Sequence, residues 1–167
     1  PDNGVLSRLA LVLAGAAVTV IVQASSAGVA ATLVLLSGGS IGLVQAACLV
    51  IGMDIGTTFK SLLATIGGSR DMRRTAIAHV GYNLVTGIVA FACVGLVPYL
   101  GAALGGDGPS ALVAFHTLFN VSGVVLLLPL TAAFARLVRR RVPCGWGLFH
   151  EAHVRALLAE QRSTLDA

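Results

Sequence analysis

The sequence predicts an all-α integral membrane protein, and three features of its composition indicate this class. Of the 167 residues, 56% are hydrophobic and only 11% are charged, and the mean hydropathy is +0.91. A soluble domain carries about 25% charged residues, and a disordered chain has low hydrophobicity and high charge. The 20 glycines are typical of helices that pack closely in lipid. The composition therefore excludes a soluble domain and a disordered chain.

Four apolar stretches form the predicted membrane part, which covers 1–142. We expect a re-entrant hairpin or span at 5–36 and a broken transmembrane helix at 43–66. Two further transmembrane helices are expected at 75–97 and 110–135. Stretches of this length are long enough to cross a bilayer of about 30 Å as helices. The remainder, 143–167, is predicted to be a tail with an amphipathic helix at 148–158 that lies in water or on the membrane surface.

Arginines are distributed asymmetrically around these stretches. The loop at 67–74 is basic, the loop at 99–109 contains no Lys or Arg, and a cluster of arginines at 136–141 precedes the tail. By the positive-inside rule, the 67–74 loop and the tail are cytoplasmic in a multi-pass plasma (inner) membrane protein. Because the basic residues form short clusters beside apolar spans, nucleic acid is not an expected partner, whereas membrane lipid is.

Polar residues Gln23, Ser25 and Ser26 interrupt the middle of the first stretch. Within a single helix these groups would be buried at the most costly depth, where they would have to bond neighbouring helices. A re-entrant hairpin that turns here is the alternative, since non-helical backbone is tolerated inside protein or beside a cavity. In that case the amide, the hydroxyls and the free N–H groups of the next helix form an oxyanion site.

The second stretch contains Gly52, Asp54, Gly56, Thr57 and Thr58 within an apolar run. Two glycines and two threonines around an acid predict an unwound segment whose freed carbonyls bind a cation together with Asp54, Thr57 and Thr58, as in the broken helices of transporters. The other interpretation is a glycine-kinked helix in which Asp54 pairs with Lys60.

The third and fourth stretches share a short repeat. His79 and Asn83 are four residues apart, as are His116 and Asn120, so each pair lies on one helix face. We interpret these four residues as supporting, hydrogen-bonding groups rather than proton carriers.

The sequence shows no pattern that favours an enzyme. A second intramembrane carboxylate, metal-spaced His and Cys residues and a nucleophile elbow are all missing, and His150, Glu151 and His153 of the tail are interpreted as a solvated face. No cofactor is expected.

The ordered motifs resemble the type II sodium–phosphate cotransporter family. The family's Gln-Ser-Ser-Ser motif is similar to Gln23-Ala24-Ser25-Ser26, and its Gly-x-Asn-Ile-Gly-Thr-Thr motif to the segment Gly52–Thr58. Its Ala-His-x-x-x-Asn and Phe-His-Thr-x-Phe-Asn spans are similar to 78–83 and 115–120. The resemblance covers roughly 15–135.

The resemblance implies one of two inverted repeats, the C-terminal one, with the other repeat supplied upstream in the same protein or by a partner chain. The absence of an initiator Met leads us to expect a fragment of a longer protein. Phosphate would bind near the bilayer midplane on Gln23, Ser25 and Ser26, with sodium as the coupling ion near Asp54, Thr57 and Thr58. The implied function is sodium-coupled symport of inorganic phosphate by alternating access.

Three residues depart from the family's pattern. Ala24 replaces a Ser, Asp54 replaces an Asn, and Lys60 stands where a neutral residue is usual. We hypothesise that Asp54 and Lys60 are a compensating pair, because an isolated carboxylate would repel phosphate. A carrier for another small anion and a non-transporting membrane module remain the alternative functions.

Overall fold

The structure, a computed structural model, describes residues 4–142, which form a bundle of α-helices without any strand in that range. The helices are α1 (Val5–Val22), α2 (Ser25–Ser37), α3 (Leu43–Leu63), α4 (Arg70–Cys93), α5 (Val97–Ala103), α6 (Gly108–Leu127) and α7 (Thr131–Arg141). Four helical segments are long and apolar enough to cross a membrane: α1, α3, α4 with α5, and α6 with α7. The predicted all-α membrane class is confirmed. The tail 143–167, with its predicted helix and His150, Glu151 and His153, lies outside the described residues.

The first apolar stretch is a helical hairpin and not a single helix. α1 ends at Val22 and α2 begins at Ser25, and Gln23 between them has a φ of 59°. α1 runs parallel to α3, because Val12 meets Gly52 and, further along both helices, Gln23 meets Lys60. α2 returns in the opposite direction to the short 38–42 connection that starts α3. The turn therefore lies beside Lys60, three residues before α3 ends and beyond its midpoint.

Helix α3 lies at the centre of the bundle. Its small and branched residues are almost completely buried, with exposed fractions of 0–1% for Ala46, Ala47, Cys48, Val50 and Ile51. α1, α2, α4 and α6 all pack against it. This arrangement places the side chains of α3 where the hairpin, α4 and α6 can all contact them.

The break predicted in the second stretch is wrong, because α3 is continuous from Leu43 to Leu63. Gly52 and Gly56 instead allow the backbone of α1 to approach α3. A Cβ atom at Gly52 would overlap the Val12 carbonyl, and one at Gly56 would lie 2.7 Å from the Ala16 oxygen. This is the small-xxx-small packing of membrane helices, in which glycine supplies space and not a kink.

The third and fourth stretches extend beyond their predicted ends. The helix of the third stretch begins at Arg70 and is followed by the 3-10 turn Val94–Leu96. The chain then continues as α5, which contains Pro98. The fourth likewise continues through the 3-10 turn Leu128–Leu130 to Arg141. Pro98 occupies the first turn of α5, where a missing N–H breaks no helical bond. The helical structure therefore continues beyond residue 97, the predicted end of the third stretch.

Candidate functional site

A polar cleft of about 490 Å³ lies between the tip of the α1–α2 hairpin, α3 and α4. It gathers several predicted site residues that are far apart in sequence. Its lining consists of Thr19, Gln23, Ala24, Ser25, Ser26, Gly56, Thr57, Lys60, Ser61 and His79. We call this space the hairpin cleft.

The first turn of α2 supplies hydrogen-bond donors to the hairpin cleft. Ser25 and Ser26 are its first two residues, and the first helical bond of α2 runs from the Gly28 N–H to the Ala24 carbonyl. The cap residue Ala24 has no side-chain acceptor for the N–H groups that precede this bond. Unpaired N–H groups at a helix start, with the positive end of the helix dipole, attract an anion. Two serine hydroxyls add donors at the same place.

Gln23 mainly closes the end of α1. Its backbone N–H donates to the Thr19 carbonyl at 2.8 Å, and its side-chain Nε2 donates to the Val20 carbonyl at 2.7 Å. Part of the donor capacity that we predicted for phosphate is therefore used within the hairpin. A role for Gln23 in anion binding stays a prediction.

Lys60 brings a positive charge to the hairpin cleft. Its Nζ atom donates to the Gln23 carbonyl across a distance of 3.4 Å. The alternative pairing of Lys60 with Asp54 is wrong, because Asp54 bonds other residues. Six residues along a continuous helix put the two side chains about 120° apart around its axis, so they face different neighbours.

Two residues that the sequence reasoning missed also line the hairpin cleft. Thr19 is 3% exposed, and its Oγ1 atom has no hydrogen-bond partner among the described residues. Ser61 Oγ lies 2.8 Å from His79 Nδ1. The signal for Thr19 was its position four residues before Gln23, since residues at this spacing share a helix face.

The cation site expected at Asp54, Thr57 and Thr58 is not assembled around freed carbonyls. The hydroxyls of Thr57 and Thr58 donate to the Asp54 and Ile55 carbonyls of their own helix, at 2.6 and 2.7 Å. Thr57 lines the hairpin cleft, whereas the Asp54 side chain contacts α6. Cation binding by these three residues stays a prediction. The unwound backbone that was expected to contribute carbonyl ligands is not present in α3.

Asp54 joins α3 to α6 in a second polar cluster. Its two carboxylate oxygens each lie 3.2 Å from His116 Nε2, and Asn120 Nδ2 donates to Oδ2 at 2.9 Å. Tyr82 of α4 donates its hydroxyl to the Asn120 carbonyl at 3.1 Å. The cluster therefore links three helices through hydrogen bonds.

The His and Asn repeat has the same local geometry in both helices. Asn83 donates to the His79 carbonyl and Asn120 to the His116 carbonyl, each at 3.1 Å. Each histidine also bonds a polar side chain of α3, which is Ser61 for His79 and Asp54 for His116. A supporting role for the four residues stays a prediction.

The helices and the hairpin cleft together define an all-α membrane protein with a polar site at the tip of a helical hairpin. The chain is 34% identical to the uncharacterized protein YqeW of Bacillus subtilis over 143 residues, which is 82% of this chain and 45% of that protein. It is 27% identical to the putative inorganic phosphate export protein YjbB of Escherichia coli K12 over 124 residues, or 74% of this chain and 23% of YjbB.

A third relative is a mammalian protein. The chain is 38% identical to sodium-dependent phosphate transport protein 2C of the mouse over 85 residues. These residues are 48% of this chain and 14% of the mouse protein. The chain thus spans less than half the length of each of these relatives. No protein-family profile matches it, and neither does any solved structure.

Proposed function

We propose that this chain forms one half of a membrane carrier for inorganic phosphate, which binds in the hairpin cleft. The observation that carries the proposal is the convergence of the α2 N-terminus, Ser25, Ser26 and Lys60 on one cleft. Hydroxyls, free N–H groups and an ammonium are the donors that an oxyanion requires. The names of the Escherichia coli and mouse relatives support phosphate as the anion.

We further propose that transport is a sodium-coupled symport in the plasma (inner) membrane, by alternating access against a second repeat or a partner chain. The name of the mouse relative supports sodium dependence, whereas the name YjbB refers to export. For a symporter the sodium and phosphate gradients set the direction, so uptake and export are opposite runs of one cycle.

Replacing Ser25 and Ser26 together by alanine is expected to lower phosphate transport. Each lost hydroxyl removes about 0.5–1.5 kcal/mol of hydrogen bonding, so the double variant loses affinity by about tenfold. Uptake of labelled phosphate into proteoliposomes that contain this chain together with the second repeat or partner chain, with an inward sodium or potassium gradient, measures this. Thr65→Ala is the matched control, because the Thr65 hydroxyl bonds the Leu62 carbonyl and Thr65 does not line the hairpin cleft.

Four outcomes of this assay would contradict parts of the proposal. Equal uptake by the double variant and the wild type would remove the hairpin cleft as the anion site. Uptake that is the same with a sodium and with a potassium gradient would show that transport is not coupled to sodium. Sulfate uptake in place of phosphate would favour a carrier for another anion, and no uptake of either would favour a non-transporting module.

The orientation predicted from the arginines has a direct test. Asp71 lies in the first turn of α4, within the basic segment 67–74, and Asp107 caps the start of α6. In a background in which the three native cysteines are replaced, we expect a membrane-impermeant maleimide to label Asp107→Cys in intact cells. Asp71→Cys should react only after permeabilisation, and the reverse pattern would invert the predicted topology.

A further inference from the structure

The hairpin cleft contains one ammonium group and no carboxylate among its described lining residues. The nearest acid on α3 is Asp54, whose carboxylate is bonded to His116 and Asn120 on α6. Lys60 is therefore not neutralised by Asp54. Its positive charge is available to whatever enters the cleft.

The ammonium group of Lys60 occupies a position that would attract a free cation. Lys60 Nζ lies 3.4 Å from the carbonyl of Gln23, the residue that ends α1. Carbonyl groups at a helix end carry partial negative charge, and the next helix start carries partial positive charge. Two residues after Gln23, α2 begins with Ser25. The ammonium thus contacts the cation-attracting end of α1 and lines the same cleft as the anion-attracting start of α2.

From this geometry we propose that Lys60 is the fixed counter-charge of the bound oxyanion, so that anion binding at this cleft needs no free sodium ion. The inference rests on the proposed function and adds a specificity-determining residue to it. Sodium then acts on a step of transport other than anion binding at this cleft. Because Lys60 is part of α3, the counter-charge does not have to be recruited from solution.

The charge of Lys60, and not its shape, is the property that matters in this proposal. Both a guanidinium and an ammonium form charge-assisted bonds with an oxyanion, whereas a neutral amide of similar length brings no charge. The second basic group in the lining is His79, whose Nδ1 is bonded to Ser61. Because that bond holds the ring against α3, we do not assign the counter-charge to His79.

The test is equilibrium binding of inorganic phosphate to the purified protein in detergent, by titration calorimetry, in sodium chloride and in choline chloride. We expect wild-type affinities in the two salts to agree within about threefold. Lys60→Gln should weaken binding in choline chloride by about tenfold or more, as expected for the loss of a charge-assisted bond. Lys60→Arg should retain the wild-type affinity, and His79→Gln should weaken binding less than Lys60→Gln does.

Arg139→Gln is the matched control for net charge, because Arg139 is an exposed residue of α7 that does not line the hairpin cleft. Its affinity should equal that of the wild type. The wild-type comparison between the two salts needs no variant, so the proposal stays testable even if Lys60→Gln fails to fold.

The outcomes separate this inference from the proposed function. Phosphate binding by the wild type only in sodium chloride would overturn the inference, as would unchanged binding by Lys60→Gln. A loss in His79→Gln equal to that in Lys60→Gln would also overturn it. In each of these cases phosphate still binds and the proposed function stands. If the wild type binds no phosphate in either salt, the proposed function itself fails.

Discussion

Gly52→Ala is expected to destabilise the packing of α1 on α3. The added Cβ atom would overlap the Val12 carbonyl and approach the Ala16 nitrogen at 2.9 Å. Both are backbone atoms of α1, so no side-chain rotation can relieve the overlap and the two helices must separate. Overpacking of this kind costs about 1–3 kcal/mol or more, which exceeds the gain in helix propensity of about 1 kcal/mol from Gly to Ala.

The measurement is thermal unfolding in detergent, with Gly95→Ala as the matched control. Gly95 lies in the 3-10 turn after α4, and a Cβ atom there would meet nothing within 4 Å. We expect the midpoint of Gly52→Ala to fall by more than about 5 °C, while that of Gly95→Ala stays within about 2 °C of the wild type. Equal midpoints for the two variants would contradict close packing of α1 on α3.

A strong energetic coupling is expected between Asp54 and His116. The side chains of Asp54 and His116 are 17% and 32% exposed, so each is largely withdrawn from solvent and depends on the other for its hydrogen bond. Removing either partner leaves the other without that bond, which costs about 1–3 kcal/mol. A double-mutant cycle with Asp54→Ala and His116→Ala should therefore show an interaction energy of about 1–3 kcal/mol in the free energy of unfolding.

The matched comparison is a second cycle with Asp54→Ala and Lys60→Ala. Because Lys60 faces the hairpin cleft and Asp54 faces α6, we expect these two effects to add within about 0.5 kcal/mol. The opposite result, with coupling to Lys60 and additivity with His116, would restore the compensating pair that the sequence suggested. Denaturant titration of the protein in mixed micelles measures both cycles under the same conditions.

Composition predicts the class of the protein, and the local polar pattern predicts where a hairpin would turn if the first stretch were not a single helix. Too few charged residues are present to cover a soluble surface, and this holds whatever the arrangement of the helices. The polar group at Gln23, Ser25 and Ser26 likewise marked the turn between α1 and α2, because a polar interruption of an apolar run is costly in any membrane helix. Both inferences depend only on composition and on local pattern.

The partners of the polar residues were decided by the tertiary structure alone. Glycines within an apolar run are compatible with a kink or with a close helix contact. Only the position of α1 in the structure shows that Gly52 allows a close helix contact. Asp54 was assigned to Lys60, six residues away, but its partner His116 is 62 residues away. Local spacing cannot show which faces of distant helices meet, because that depends on how the whole bundle packs. For the same reason the hairpin cleft, with Thr19 and Lys60 in its lining, became visible only in the folded chain.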